Sequence, residues 1–275
     1  MTVADPVAVA LVIGLGLCVG SFLNVCIYRL PRGASLIRPR SQCPGCEYQL
    51  LWYDNIPLVS YLLLWGRCRS CRTRISLRYP IVEILTAVVF AAHYAVFDLT
   101  ALMVVRVIFA CALIVLFAID LEHQLLPNVI TLPGIVAGLV FSLVFPPGVF
   151  DAVLGVLIGG GVLWLIGEAY YRFAGQEGMG GGDVKMLAMV GAFLGWKQVL
   201  VTLIVSSVAG SLLGLLLILS RRGNLKQALP FGTFLAVGAL LASLVGERIV
   251  QWYAGTLVVY LHGSPHVTSL LAALR

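Results

Sequence analysis

Long apolar runs separated by short polar stretches dominate the chain, and this pattern predicts membrane-spanning helices. A helix needs about 20 apolar residues to cross a bilayer. Most of the runs approach or reach that length, although one of them is short and could be tilted or sunk into a bundle. The predicted spans are 7–28, 80–97, 102–119, 129–145, 152–170, 187–196 (the short one), 199–219 and 231–252. We therefore expect an all-α polytopic membrane protein with about eight transmembrane helices.

One long polar segment, 29–79, interrupts the apolar pattern after the first span. It contains nine of the 18 Lys and Arg residues and four of the seven cysteines. Because basic loops stay in the cytosol, we expect this segment to be cytosolic and the N-terminus to lie outside. The predicted organisation is a first transmembrane helix, a small cytosolic cysteine module, a helical bundle and a C-terminal tail whose placement the pattern leaves open. Their boundaries are 1–28, 29–79, 80–254 and 255–275.

The composition agrees with a membrane protein and excludes an ordinary soluble domain. Hydrophobic residues make up 60% of the chain and charged residues 11%, and the mean hydropathy is +1.01. A soluble domain is about half apolar and about a quarter charged. The net charge of +6 comes from basic residues that cluster at the predicted membrane edges. We therefore expect membrane lipid, and no nucleic acid, as a partner.

Two aspartates stand at the ends of apolar runs. Asp120 ends the third predicted span, and Asp183 follows three glycines just before the sixth. Alternation from an outside N-terminus puts both at the cytosolic side, and an ionisable residue at membrane depth indicates a functional site. Two neighbouring carboxylates can share one proton, so that one activates water while the other polarises a carbonyl. The alternative is that each aspartate only caps a helix. We predict that Asp120 and Asp183 form a catalytic pair.

Glycines and a lysine surround the second aspartate. Gly178, Gly180 and Gly182 leave the backbone free to approach a ligand closely, so they could form a loop that pairs with an extended peptide. Lys185 lies two residues beyond Asp183. It could lower the pKa of an aspartate, bind a backbone carbonyl of the substrate or extend to the lipid headgroups. We predict that these glycines and Lys185 form a substrate loop.

The cysteines of the polar segment form two Cys-x-x-Cys pairs separated by 21 residues, namely Cys43 with Cys46 and Cys68 with Cys71. Two such pairs indicate a closed tetrahedral zinc site, and the segment then resembles a small zinc ribbon. Two disulfides are the alternative, although a cytosolic location disfavours them. A redox dithiol would need only one pair. We predict a structural Zn²⁺ bound by all four thiolates.

Several blocks of the chain together resemble the bacterial type IV prepilin peptidases. The residues that carry the resemblance are 20–31, 120–128 with 131–133, 178–188, and the two cysteine pairs that bracket 52–57. Within the third block, Gly180-Gly181-Gly182-Asp183 matches the Gly-x-Gly-Asp signature of intramembrane aspartyl proteases. The resemblance extends from residue 20 to about residue 196, with the blocks in the same order and at similar spacing.

The resemblance implies a bifunctional enzyme of the bacterial inner membrane. Such an enzyme cleaves the basic leader of a type IV prepilin or a type II secretion pseudopilin, after Gly and on the cytosolic side. It then methylates the new N-terminal residue with S-adenosylmethionine as donor. Asp120 and Asp183 correspond to the catalytic pair and the four cysteines to the zinc ligands. No residue is assigned to the methyl donor, whose site we expect within 29–79 or at its junction with the bundle.

Two functions from other classes also fit acidic residues in membrane helices. A proton-coupled transporter relays protons through such residues, but it predicts acids near mid-membrane rather than at the inner edge. A non-enzymatic platform for pilus or secretion assembly would use the cysteine module to bind cytosolic partners, and it predicts that both aspartates are dispensable.

Overall fold

The computed structural model describes residues 5–43, 45–175, 180–220 and 230–263. Among these residues the chain is helical and contains no strand longer than an isolated bridge. The α-helices are α1 (Pro6–Arg29), α2 (Val59–Leu63), α3 (Arg78–Phe97), α4 (Ala101–His123), α5 (Asn128–Phe141), α6 (Val149–Ala174), α7 (Gly181–Leu194), α8 (Trp196–Leu219) and α9 (Phe231–Gly263).

Six of the helices, α1, α3, α4, α6, α8 and α9, are long and apolar enough to cross a membrane. This confirms the prediction of an all-α, multi-pass membrane protein. The two other predicted spans correspond to α5 and α7, which have 14 residues each. At about 1.5 Å per residue, such a helix measures roughly 21 Å, which is shorter than the hydrocarbon core of about 30 Å. Each of them therefore needs neighbours to cover one of its ends.

Helix α7 lies at the centre of the bundle, and every residue from 186 to 194 is buried. Helix α6 approaches it through glycine. A Cβ atom at Gly159 would lie 2.6 Å from the carbonyl oxygen of Leu187, and one at Gly155 would lie 2.5 Å from that of Gly191. On another side, the Phe193 ring stacks on Phe109 of α4 with 4.7 Å between ring centroids. The helix is thus enclosed by backbone and aromatic contacts.

Buried polar side chains join α1 to α3 and the cysteine module to α3. Asn24 of α1, which is 1% exposed, donates a hydrogen bond of 3.0 Å to the carbonyl of Tyr79. Glu83 of α3 accepts one of 2.9 Å from the N–H of Leu58. Helix α1 ends at Arg29 and α3 begins at Arg78, so the module occupies almost the segment that the charge pattern outlines.

The last helix is longer than the apolar pattern predicts. The predicted final span ends at residue 252 and the predicted tail begins at 255, whereas α9 continues to Gly263. Gly255 does not end the helix because an apolar run follows it, and the first proline comes at Pro265. Residues 264–275 lie outside the described part of the chain.

Candidate active site

Asp120 lies in the last turn of α4 and is 5% exposed. Its Oδ2 accepts hydrogen bonds from the backbone N–H and the hydroxyl of Thr233, at 2.6 and 2.9 Å. Thr233 is the third residue of α9. A helix N-terminus presents N–H groups without intrahelical partners and the positive end of the helix dipole, both of which suit a carboxylate. The start of α9 therefore holds Asp120 in a defined orientation.

Asp183 lies in the first turn of its own helix. It is the third residue of α7, its side chain is partly buried, and its N–H donates to the carbonyl of Gly180 at 3.1 Å. The first turn of α7 therefore supplies a favourable dipole for the Asp183 carboxylate. Each of the two predicted aspartates lies beside a helix N-terminus.

Leu126 joins the surroundings of the two aspartates. A Cβ atom at Gly182 would lie 2.9 Å from Leu126 Cβ. One at Gly232 would lie 2.9 Å both from Leu126 Cδ1 and from Asp120 Oδ2. Leu126 therefore lies against both the start of α7, which carries Asp183, and the start of α9 beside Asp120. The structure thus brings the two aspartates together around one leucine, where glycines at the starts of α7 and α9 permit the approach.

The sequence reasoning did not find Gly232 and Thr233. A signal for them is present, because Pro230-Phe231-Gly232-Thr233 stands directly before the last apolar run. A proline and a glycine mark the break, and the hydroxyl of a threonine at a helix start can donate or accept a hydrogen bond. The local sequence does not indicate which group the Thr233 hydroxyl binds. In the folded protein that group is the Asp120 carboxylate.

The predicted substrate loop is described in part. Gly180 precedes α7 with extended backbone angles, and Gly182 contacts Leu126, whereas Gly178 lies outside the described residues. Lys185 Nζ donates a 2.9 Å hydrogen bond to Asn128 Oδ1 at the start of α5. This bond links α5 to α7 beside the aspartates, and the sequence did not predict it.

The four cysteine sulfurs of the module lie within 4.8 Å of one another. The Cys43–Cys71 and Cys46–Cys68 sulfur pairs are 3.7 and 4.0 Å apart, and all four are free thiols rather than disulfides. Tetrahedral zinc with Zn–S bonds of about 2.3 Å separates its sulfurs by about 3.8 Å, so the arrangement fits the metal. The Thr73 hydroxyl, 3.1 Å from the Cys71 sulfur, lowers the pKa of this thiol to about 6. The cluster could therefore hold a metal ion.

Two protein-family models match long segments of the chain. Residues 14–97 match the bacterial peptidase A24 N-terminal domain, and residues 107–215 match the type IV leader peptidase family. The chain is 38% identical over 277 residues to a prepilin leader peptidase/N-methyltransferase of Aeromonas salmonicida, covering 90% of this chain and 94% of the relative. The chain belongs to the type IV leader peptidase family. No solved structure matches it.

Two other relatives of the chain carry the same name as the Aeromonas salmonicida protein. The protein of Pseudomonas aeruginosa is 36% identical over 266 residues, covering 87% of this chain and 91% of the relative. That of Myxococcus xanthus is 43% identical over 209 residues, covering 75% and 62%. The N-terminal domain match includes most of α1, the cysteine module and α3, and the second match includes both aspartates. Thr233 lies beyond both matched segments.

Proposed function

We propose that this protein is a membrane-embedded aspartyl peptidase that removes the leader of type IV prepilins or type II secretion pseudopilins, after Gly and at the cytosolic face. It then methylates the new N-terminal residue. The observation that carries the peptidase activity is the convergence of two aspartates: Asp120, bound to the start of α9, and Asp183, in the first turn of α7. The names of the relatives support both activities.

The two carboxylates share one proton because two neighbouring negative charges repel each other. The ionised carboxylate takes a proton from water, and the water oxygen bonds to the scissile carbonyl carbon. The protonated carboxyl meanwhile donates its proton to the carbonyl oxygen. When the C–N bond breaks, the leaving amine takes up the proton that came from water, and the second proton returns to the pair. Thr233 keeps Asp120 oriented throughout.

The substrate must present an extended peptide to this pair. A Gly before the scissile bond lowers the free-energy cost of unwinding a helical substrate. Gly180 has an extended backbone and lies one turn before Asp183, so it is a suitable place for such a segment to pair. We therefore keep Gly178, Gly180, Gly182 and Lys185 as the proposed substrate loop.

We place the enzyme in the bacterial inner membrane, with its N-terminus outside and its active site at the cytosolic face. The high arginine content of the module supports a cytosolic location. An ion pair between Arg78, at the start of α3, and Glu122, at the end of α4, spans 2.6 Å. This contact puts the module and Asp120 on the same side of the bundle, as the proposal requires.

We propose that the cysteine cluster binds structural zinc. Cys43, Cys46, Cys68 and Cys71 would supply a complete tetrahedral set of thiolates. Zinc in such a closed site contributes folding free energy rather than an open position for substrate. In this protein it would fix the two knuckles that the Gln42–Gln49 bridge and the Arg67–Arg74 bridge begin to form.

The methyl donor needs a site of its own, and S-adenosylmethionine is the donor that we propose. A cavity of about 250 Å³ lies between the inner end of α1 and the module. Phe22, Trp52, Arg40 and Asn55 are among its lining residues. The aromatic rings suit an adenine and a sulfonium cation, and the guanidinium suits a carboxylate. These features support the cavity as the donor site.

The decisive experiment incubates purified protein in detergent with a prepilin that has a basic leader and a Gly-Phe junction. Mass spectrometry reads the product with and without S-adenosylmethionine. Wild-type protein should release the leader, and the donor should add one methyl group. Asp183→Asn should do neither to intact prepilin. Asp151→Asn is the matched control, because Asp151 also lies in the first turn of a helix, α6, and should retain activity. Cleavage by Asp183→Asn would contradict the proposal.

A further inference from the structure

Arg106 is a charged residue within the apolar helix α4, whose other end carries Asp120. A charged residue in a membrane helix is unfavourable unless it has a partner. The Arg106 side chain is partly buried, and its Nη1 donates a 3.1 Å hydrogen bond to the carbonyl oxygen of Phe193. This carbonyl belongs to the last turn of α7.

The end of α7 requires such a donor. The last carbonyls of a helix have no intrahelical partners, and α7 ends at Leu194 among buried residues rather than in water. The N–H of Gly195 satisfies the Gly191 carbonyl at 2.8 Å, and Arg106 satisfies that of Phe193. A cation at a helix C-terminus also interacts favourably with the helix dipole.

We propose that Arg106 is a positioning residue that fixes the axial position of α7 and thereby the separation of Asp183 from Asp120. Helices α4 and α7 run in opposite directions, with the aspartates at one end of the pair and Arg106 at the other. A shift of α7 along its axis therefore changes the distance between the two carboxylates directly. A displacement of about 1 Å in an active site can lower a rate about 100-fold. This inference rests on the proposed peptidase activity.

The charge of Arg106 and its hydrogen bond involve different groups. Glu247 of α9 acts on the Arg106 charge from beyond hydrogen-bond distance, and His93 of α3 also lies within electrostatic range. His93 is itself fully buried and is bonded through Nε2 to Ser243 at 3.0 Å. Glu247 is exposed and acts on Arg106 only at a distance, whereas the Phe193 carbonyl receives the hydrogen bond. Removing Glu247 leaves the bond to α7 in place, which provides a matched control.

The test compares Arg106→Met, Arg106→Lys and Glu247→Gln in purified full-length protein. We expect Arg106→Met to lower kcat for prepilin cleavage by about 10-fold or more while KM changes little, since binding is unaffected. Arg106→Lys should be intermediate, because it keeps one donor. Glu247→Gln should resemble wild type. Methylation of an already cleaved substrate should persist in all three variants, which separates misplacement of α7 from general unfolding.

A second readout does not depend on activity. Hydrogen–deuterium exchange of the peptide spanning α7 should become faster in its last turn in Arg106→Met and should stay unchanged in Glu247→Gln. The inference would be overturned if Arg106→Met had the same kcat as wild type, or if hydrogen–deuterium exchange in the last turn of α7 were unchanged in this variant. An equal loss of cleavage and methylation with a lower Tm would also overturn it, since the role would then be purely structural. An inactive wild-type protein would instead refute the proposed function, and the exchange result would still decide the role of Arg106.

Discussion

Asp120 on α4 accepts two hydrogen bonds from a single residue of α9, the N–H and the hydroxyl of Thr233. The two residues are 113 positions apart in sequence. Through this contact the last helix orients a carboxylate that belongs to the middle of the chain. The catalytic pair that we propose therefore needs three helices, α4 and α7 for the aspartates and α9 for the donor.

The Thr233 hydroxyl can be tested separately from its backbone. Thr233→Val keeps the shape of the side chain and the N–H but removes the 2.9 Å bond to Asp120. A hydrogen bond to a charged group contributes about 1.5–3 kcal/mol, so we expect kcat to fall by roughly 10- to 100-fold. Single-turnover cleavage of prepilin measures this effect.

Thr202→Val is the control for that experiment. Thr202 is likewise a buried threonine, and its hydroxyl has no hydrogen-bond partner among the described residues. Its replacement should leave cleavage unchanged or slightly improve stability, because an unpaired buried hydroxyl is lost. Equal effects of the two substitutions would show that the Thr233 hydroxyl does not act through Asp120.

The adjacent glycines at the start of α7 allow a sharper steric test. A Cβ atom at Gly182 would lie 2.9 Å from Leu126 Cβ, whereas one at Gly181 would have nothing within 4 Å. We expect Gly182→Ala to displace Leu126 or Asp183 and to lower kcat by about 10-fold or more, since rates depend steeply on the placement of reacting groups. Gly181→Ala should remain active.

Prepilin cleavage assays on both alanine variants, together with their melting temperatures, check this prediction. Similar activities in the two variants would mean that the approach of α7 to Leu126 is not needed for cleavage. The pair is informative because both glycines belong to the same first turn of the same helix.

Much of the candidate site could be predicted from single residues, because these residues contrast with their surroundings. Asp120 and Asp183 stand out as carboxylates at the ends of apolar runs, and the four cysteines stand out by their spacing. The apolar pattern likewise predicts which long helices can cross a membrane. Each of these predictions depends on local sequence alone.

The remaining features depend on which elements meet, and local sequence does not contain that information. Thr233 reads as an ordinary helix-start residue until α9 is placed against α4. Arg106 is a charged residue in an apolar run, and the local sequence does not indicate its partner, which is the Phe193 carbonyl in the last turn of α7. In both cases a polar side chain satisfies a group on a distant helix, so its role becomes visible only in the packed bundle.

The cysteine module supplies the last prediction, which concerns metal removal. Purified protein should contain about one zinc ion per chain, since the four sulfurs form one tetrahedral set. Cys43→Ser should abolish zinc binding and make the module susceptible to proteolysis, because the two Cys-x-x-Cys pairs lose the metal ion that links them. Cys18→Ser, at an exposed cysteine of α1, should change neither property. Elemental analysis and limited proteolysis measure the two effects, and a wild-type protein free of metal would refute the zinc assignment.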